Sequence, residues 1–296
     1  MSLLLLILLY FSFAKAEDND LVRHYSCDHS KARISCYDSH VKFFPRELIY
    51  PPNFSNPFEA KVGSIFSLSG KGLQLDIGAA KDLIHIKSDK KNTFGLGAEF
   101  FTWSMLRSQS NFKFPVDAID YFFGGYFSHR TSIKNIKISS RLRISHISAH
   151  LVDGSYNSIN KTWNNSLEPF VYSREFTELS SAIEWKQQKL YLTINYLFHA
   201  IPEVKSNLSF GTGAEFLLYT IKNPRAQLFG GLDIKFHKTY DDNYKSDKSI
   251  SAGIHFGKWN SSGLRIIYNY YSGKHLHGEF SRFKLNRSSI GAYLLF

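Results

Sequence analysis

The chain has 296 residues, 43% hydrophobic and 16% aromatic, with 26 Phe, 17 Tyr and a formal charge of +11. After Ala16 no apolar stretch reaches the roughly 20 residues that a membrane-crossing helix needs, which excludes a helical membrane protein. The basic balance favours anionic partners such as lipid phosphates, and the export pattern at the N-terminus argues against nucleic acid.

That N-terminus reads MSLLLLILLYFSFAKA. An apolar run from Leu3 to Phe13 precedes Ala14-Lys15-Ala16, a small-x-small cleavage pattern. Residues 1–16 therefore read as a secretory signal peptide, with Glu17 opening the mature chain. Removing Lys15 takes the formal charge from +11 to +10. The run is too short to span a bilayer as a helix.

Residues 17–57 differ in character from the rest of the mature chain. They hold both cysteines, Cys27 and Cys36. In an oxidising compartment this spacing predicts a small disulfide loop. His24, His29 and His40 flank it, but neither a C-x-x-C pair nor a paired-His spacing is present, so no metal is expected. The stretch FFPRELIYPPNFSNPF is too rich in proline for a long ladder. These residues are expected to form a periplasmic or barrel-capping segment.

From Phe58 to Phe296 short segments alternate apolar with polar residues or glycine. Leu73, Leu75 and Ile77 oppose Gln74 and Asp76; Leu96, Ala98 and Phe100 oppose Gly97 and Glu99. Leu190, Leu192, Ile194, Tyr196 and Phe198 form another stripe, and Leu264, Ile266, Tyr268 and Tyr270 oppose Arg265 and Asn269. A period of two with one greasy side fits a soluble sandwich or a membrane barrel. Segment length, aromatic clusters at segment ends (Tyr121–Phe123, Tyr268–Tyr271) and the ending SSIGAYLLF favour the barrel. That ending resembles the C-terminal strand of bacterial outer-membrane proteins. The resemblance implies an outer-membrane location and a contact between Phe296 and the barrel-assembly machinery. The expected fold is all-β: a transmembrane antiparallel barrel of about twelve strands, at roughly 20 residues per strand and connection.

The segment RLRISHISAH, Arg141 to His150, carries the chemistry. Ile136, Ile138, Leu142 and Ile144 mark the lipid face, so Arg141 and Arg143 point into the lumen. With Arg174, Glu178 and Glu184 they are expected to form a solvated lumen charge network. His146, Ser148 and His150 inherit the lipid face near a strand end. An imidazole near a hydroxyl is the start of acyl-transfer chemistry.

His-x-Ser on a strand resembles the way outer-membrane phospholipase A and the outer-membrane lipid A deacylases present base and nucleophile. The likeness implies that His146 is the base and Ser148 the nucleophile. SREFT, Ser173 to Thr177, stands where the phospholipase carries a Ser-Arg-Ser-Trp-Asn run. Phe176 replaces its Trp and Thr177 its orienting Asn, and Ala149-His150 replaces an Asn-Gly after His-x-Ser. No cofactor is expected, and calcium enters only with the phospholipase likeness. Glu175, on the apolar face of its own segment, is the candidate orienter; Asp153 and Asn160 are alternatives. His275 and His277 are a weaker metal candidate.

FFPRELIYPP, RISHISAHLVDGSY, YSREFTEL and YYSGKHLHGEF, in this order, resemble the bacterial family called domain of unknown function 1207. The likeness implies an envelope protein and supplies no activity. Two functions stand open. One is a non-enzymatic barrel: a narrow pore, structural element or receptor. The other is a membrane-embedded serine acyl hydrolase acting on phospholipid or lipid A.

Overall fold

The computed structural model describes residues 20–28 and 35–295, except 71, 110, 112, 165–167, 223–224, 239–243, 258 and 260–261, with side chains from residue 40 onward. The signal peptide and Phe296 lie outside the described residues. A hairpin of β1 (Asp20–Asp28) and β2 (Ser35–Phe43) comes first. Its register sets Cys27 across from Cys36, whose side chains lie outside the described ones.

The wall then follows as β3 (Val62–Ser67), β4 (Gly72–Lys87), β5 (Asn92–Arg107), β6 (Val116–Ile133) and β7 (Ile136–Leu151). A loop with a two-residue ribbon, β8 (Tyr156–Asn157) and β9 (Thr162–Trp163), separates β7 from β10 (Tyr172–Trp185). The remaining strands are β11 (Gln188–Ile201), β12 (Leu208–Ile221), β13 (Ala226–Lys238), β14 (Tyr244–Gly257), β15 (Gly263–Lys274) and β16 (Lys284–Leu295). Each wall strand runs antiparallel to the next, and β16 pairs with β3 to close a twelve-stranded barrel.

The period-two stripes divide the wall as the sequence predicts. Leu96, Leu142, Ile144, Leu192 and Ile290 stand exposed on the outside, while Glu99, Arg141, Arg143 and Asp233 are buried inside. The two ends differ. At one, two-residue turns join β6 to β7 and β10 to β11; Lys134, Lys186 and Gln187 take the positive φ that such tight hairpins need. The other end carries the long connections 152–171 and 275–283.

The lumen is filled rather than open. Residues 44–61 enter beside β4, where the Phe44 amide donates to the Leu83 carbonyl and the Ile49 amide to Asp82 Oδ2, 2.8 Å in each case. Ile49, Tyr50 and Asn53 are buried. Phe54 packs edge-on against Phe229, and Phe58 against Trp103. Lys189 Nζ donates to the Pro51 carbonyl at 2.6 Å, and Arg141 pairs with Glu59 at 2.5 Å while its guanidinium lies over the Tyr50 ring. Proline removes backbone donors here, so strand side chains satisfy the carbonyls instead. The wall makes room with glycine. A Cβ on Gly95 would sit 2.7 Å from Ile49 Cδ1, and one on Gly231 would sit 2.5 Å from Ser55 Oγ.

The lumen charges are paired within this packing. Arg143 meets Glu178 at 2.8 Å and Glu99 at 3.4 Å; Arg141 reaches Glu178 at 3.9 Å. Arg174 stays apart, donating to the Ser173 and Ile201 carbonyls at 2.7 and 2.6 Å. Glu184 forms no ion pair with these arginines, and its Oε1 is buried without a hydrogen-bond partner among the described residues. Arg141, Arg143 and Glu178 are thus joined with Glu59 and Glu99, two members that the sequence does not indicate, while Arg174 and Glu184 stand outside these pairs. Packing by residues 44–61 replaces the solvation expected there.

Candidate functional site

β7 runs toward the long-loop end without a bulge against either neighbour, so the outward parity of Leu142 and Ile144 carries on to His146 and Ser148. Ile147, between them, packs inward against the Phe101–Trp103–Phe122–Phe176 cluster, which confirms the parity. Register with β10 sets His146 across from Glu175 and Ser148 across from Ser173. All four side chains share the outer face near the loop-bearing end.

The contacts follow from that register. His146 Nδ1 lies 2.6 Å from Glu175 Oε1. The same oxygen accepts from Ser173 Oγ at 2.7 Å. Phe123, across from His146 on β6, stacks at a tilt with ring centroids 4.9 Å apart. The imidazole is thus braced on one side by an aromatic face and on the other by a carboxylate. Both His146 and Glu175 are about a quarter exposed, 28% and 25%, so a molecule lying against the wall can reach them. Ser148 is half-buried, and no hydrogen bond joins it to His146 among the described contacts.

A third imidazole completes the patch. The ladder between β10 and β11 slips at Glu175/Phe176, so that Glu175 pairs with His199 while Phe176 pairs with Leu197. The extra residue, Phe198, is a β-bulge. It turns both Phe198 and His199 outward, at 53% and 54% exposure. His199 Nδ1 closes on Glu175 Oε2. Glu175 is therefore shared by two histidines and a serine. The sequence reading missed His199 because strict alternation from Phe198 assigns it to the lumen. Nothing in the residue pattern marks the slip.

The other sequence candidates fall elsewhere. Asp153 and Asn160 lie in the β7–β10 loop, where Asp153 accepts from the Gly154 amide and the Asn160 amide donates to Asn157. His150 leans on Tyr121. His277 binds the buried Asp120 at 2.6 Å, and Trp103 Nε1 donates to the Leu276 carbonyl at 3.2 Å, so residues 275–283 fold over the barrel mouth. The His275 and His277 rings stand 5.7 Å apart with no third ligand. Among the described residues no cluster of three or more His, Cys, Asp or Glu side chains is placed to hold an ion. Calcium prefers six to eight oxygen ligands, a donor set this patch does not offer.

The geometry on this wall can be set beside known proteins. The model of the family described as "Protein of unknown function (DUF1207)" matches residues 93–296. The chain belongs to the DUF1207 family. The match takes in every strand from β5 onward, and with them His146, Ser148, Glu175 and His199. Among solved structures the DUF1207 chain is similar to an active-site mutant of outer membrane phospholipase A from Escherichia coli. The TM-score is 0.52 at 13% identity, covering 81% of this chain and 93% of that one. It is similar also to the calcium-bound dimer of the outer membrane phospholipase from Salmonella typhi, with TM-score 0.50, 12% identity and the same coverage of 81% and 93%. At such identities the likeness establishes an outer-membrane-type barrel fold. No curated protein matches the sequence.

Proposed function

We propose that this DUF1207 protein is an outer-membrane serine acyl hydrolase that takes its lipid substrate from the side of the barrel. The observation that carries the reading is the 2.6 Å contact between His146 Nδ1 and Glu175 Oε1 on the outward face, one register step from Ser148. Glu175 fixes the imidazole so that Nε2 is left for the hydroxyl proton. Ser148 Oγ then attacks the ester carbonyl carbon, and its proton passes to Nε2 of His146. The tetrahedral intermediate collapses, the alkoxide leaves with that proton, and water releases the fatty acid from Ser148 by the reverse relay. Catalytic hydrogen bonds commonly tighten only on substrate binding, so Ser148 has to meet Nε2 when an acyl chain seats against the wall.

A lipid substrate is supported by the surroundings. Ile144, Leu179 and Phe123 stand exposed around the pair, an apolar band that suits hydrocarbon. The name of the fold neighbours, outer membrane phospholipase A, agrees with phospholipid as the substrate class. The filled lumen weighs against a pore. A purely structural barrel remains the second reading, favoured by the missing Ser148–His146 hydrogen bond.

Detergent-refolded protein given fluorescent phospholipid or lipid A, with and without calcium, decides between the readings. Release that disappears in Ser148→Ala supports the hydrolase. No release by either protein leaves the structural barrel.

A further inference from the structure

A second site lies inside the barrel, apart from the lipid-facing patch. Above Phe58, at the long-loop end, a half-open cavity of about 170 Å³ is lined in part by β10, β13, β15 and the loop between β11 and β12. Its walls carry Lys235, Lys274 and Arg174. None of these three forms an ion pair among the described residues.

The carboxylates in the same walls are already engaged. Glu178 pairs with Arg143 at 2.8 Å and Asp120 with His277 at 2.6 Å. Asp247 contacts His237 at 3.4 Å and accepts from the Lys274 backbone amide at 2.8 Å. Two of the cations are instead shelved on aromatic rings. Arg174 lies 4.3 Å over the Tyr172 centroid, and Lys235 Nζ 5.6 Å from that of Phe58. A ring holds a cation in place without neutralising it. The Nη1 of Arg174 is spent on two carbonyls, which leaves the rest of the guanidinium for a ligand.

We infer that this cavity binds a small phosphate-bearing solute entering from the loop-bearing, aqueous end, with Lys235, Lys274 and Arg174 as the anion-binding groups. Three cations that form no ion pair among the described residues, around one half-buried cavity, concentrate anions, and lysine and arginine suit a phosphate dianion. The site lies inside the barrel at the loop-bearing end and not on the lipid-facing wall, so it does not depend on the hydrolase reading.

The test uses the full chain refolded in detergent and isothermal titration with glycerol phosphate, with glycerol as the uncharged control. Saturable binding of glycerol phosphate alone is expected. It should weaken at least tenfold in Lys235→Gln and in Lys274→Gln and persist in Lys235→Arg, which keeps the charge. Micelles doped with phosphatidylglycerol form the comparison arm. A response confined to those micelles and indifferent to Lys235→Gln would move the anion to the outer surface and overturn the site. The absence of a saturable response to glycerol phosphate would overturn it too.

Discussion

Glu175 lies directly across the ladder from His146, and the two side chains meet at 2.6 Å on the outside of the barrel. Neighbouring strands set this contact, so it costs little to preorganise. If the carboxylate fixes the tautomer of His146, Glu175→Gln should lower kcat about 100-fold or more while KM changes little. An unchanged kcat in a folded variant would remove Glu175 from the mechanism.

Among the described contacts His199 touches Glu175 and neither serine, so under the proposed hydrolase it would position the carboxylate. His199→Ala should lower kcat by about tenfold, less than the loss at Glu175, because the β7–β10 register still aligns the His146 contact. His199→Asn, which can still donate to the carboxylate, should recover part of it. A loss confined to KM would point instead to contact with substrate.

Sequence periodicity made the wall readable because each strand has one face in the lumen and one outside. Leu142, Ile144, Arg141 and Arg143 stand where alternation places them. The His146–Ser148–Glu175 patch was legible for the same reason, since β7 and β10 keep their register. Two features escaped. The bulge at Phe198 is a ladder property with no residue signature, and it reverses the face of His199. The filling of the lumen by residues 44–61 was missed because proline-rich chain carries no period. The inward glycines Gly95 and Gly231 were a signal, for they leave space that something else must occupy.

The filled lumen bears on stability. Arg141 and Glu59 are 1% and 3% exposed, a buried ion pair that ties residues 44–61 to the wall. Removing one partner leaves a charge uncompensated in a dry interior, so Glu59→Gln should destabilise the barrel by about 3 kcal/mol. Urea unfolding in detergent would show a lower midpoint. An unchanged midpoint would mean that the pair contributes nothing net, as when Glu178 takes over Arg141.

The loop over the barrel mouth should respond to acid. Burial, then the neighbouring His277 and Arg287, lower the pKa of His275 from 6.5 to about 3. Its Nδ1 accepts from the His277 amide at 3.2 Å, which requires the neutral ring. Between about pH 6.5 and 3 the open loop binds a proton that the closed loop does not, so closure weakens as pH falls through that window. Hydrogen exchange at residues 275–283, corrected for intrinsic rates, should lose protection from pH 7 to pH 5. Constant protection would contradict the buried, neutral placement of His275.

The most direct test of the lipid-facing hydrolase labels its nucleophile. A fluorophosphonate carrying an alkyl chain, incubated with the refolded protein and mapped by mass spectrometry, should modify Ser148, and His146→Ala should abolish the adduct. Modification at Ser173, or none in protein shown to be folded, would contradict the assignment of Ser148 and His146 as nucleophile and base.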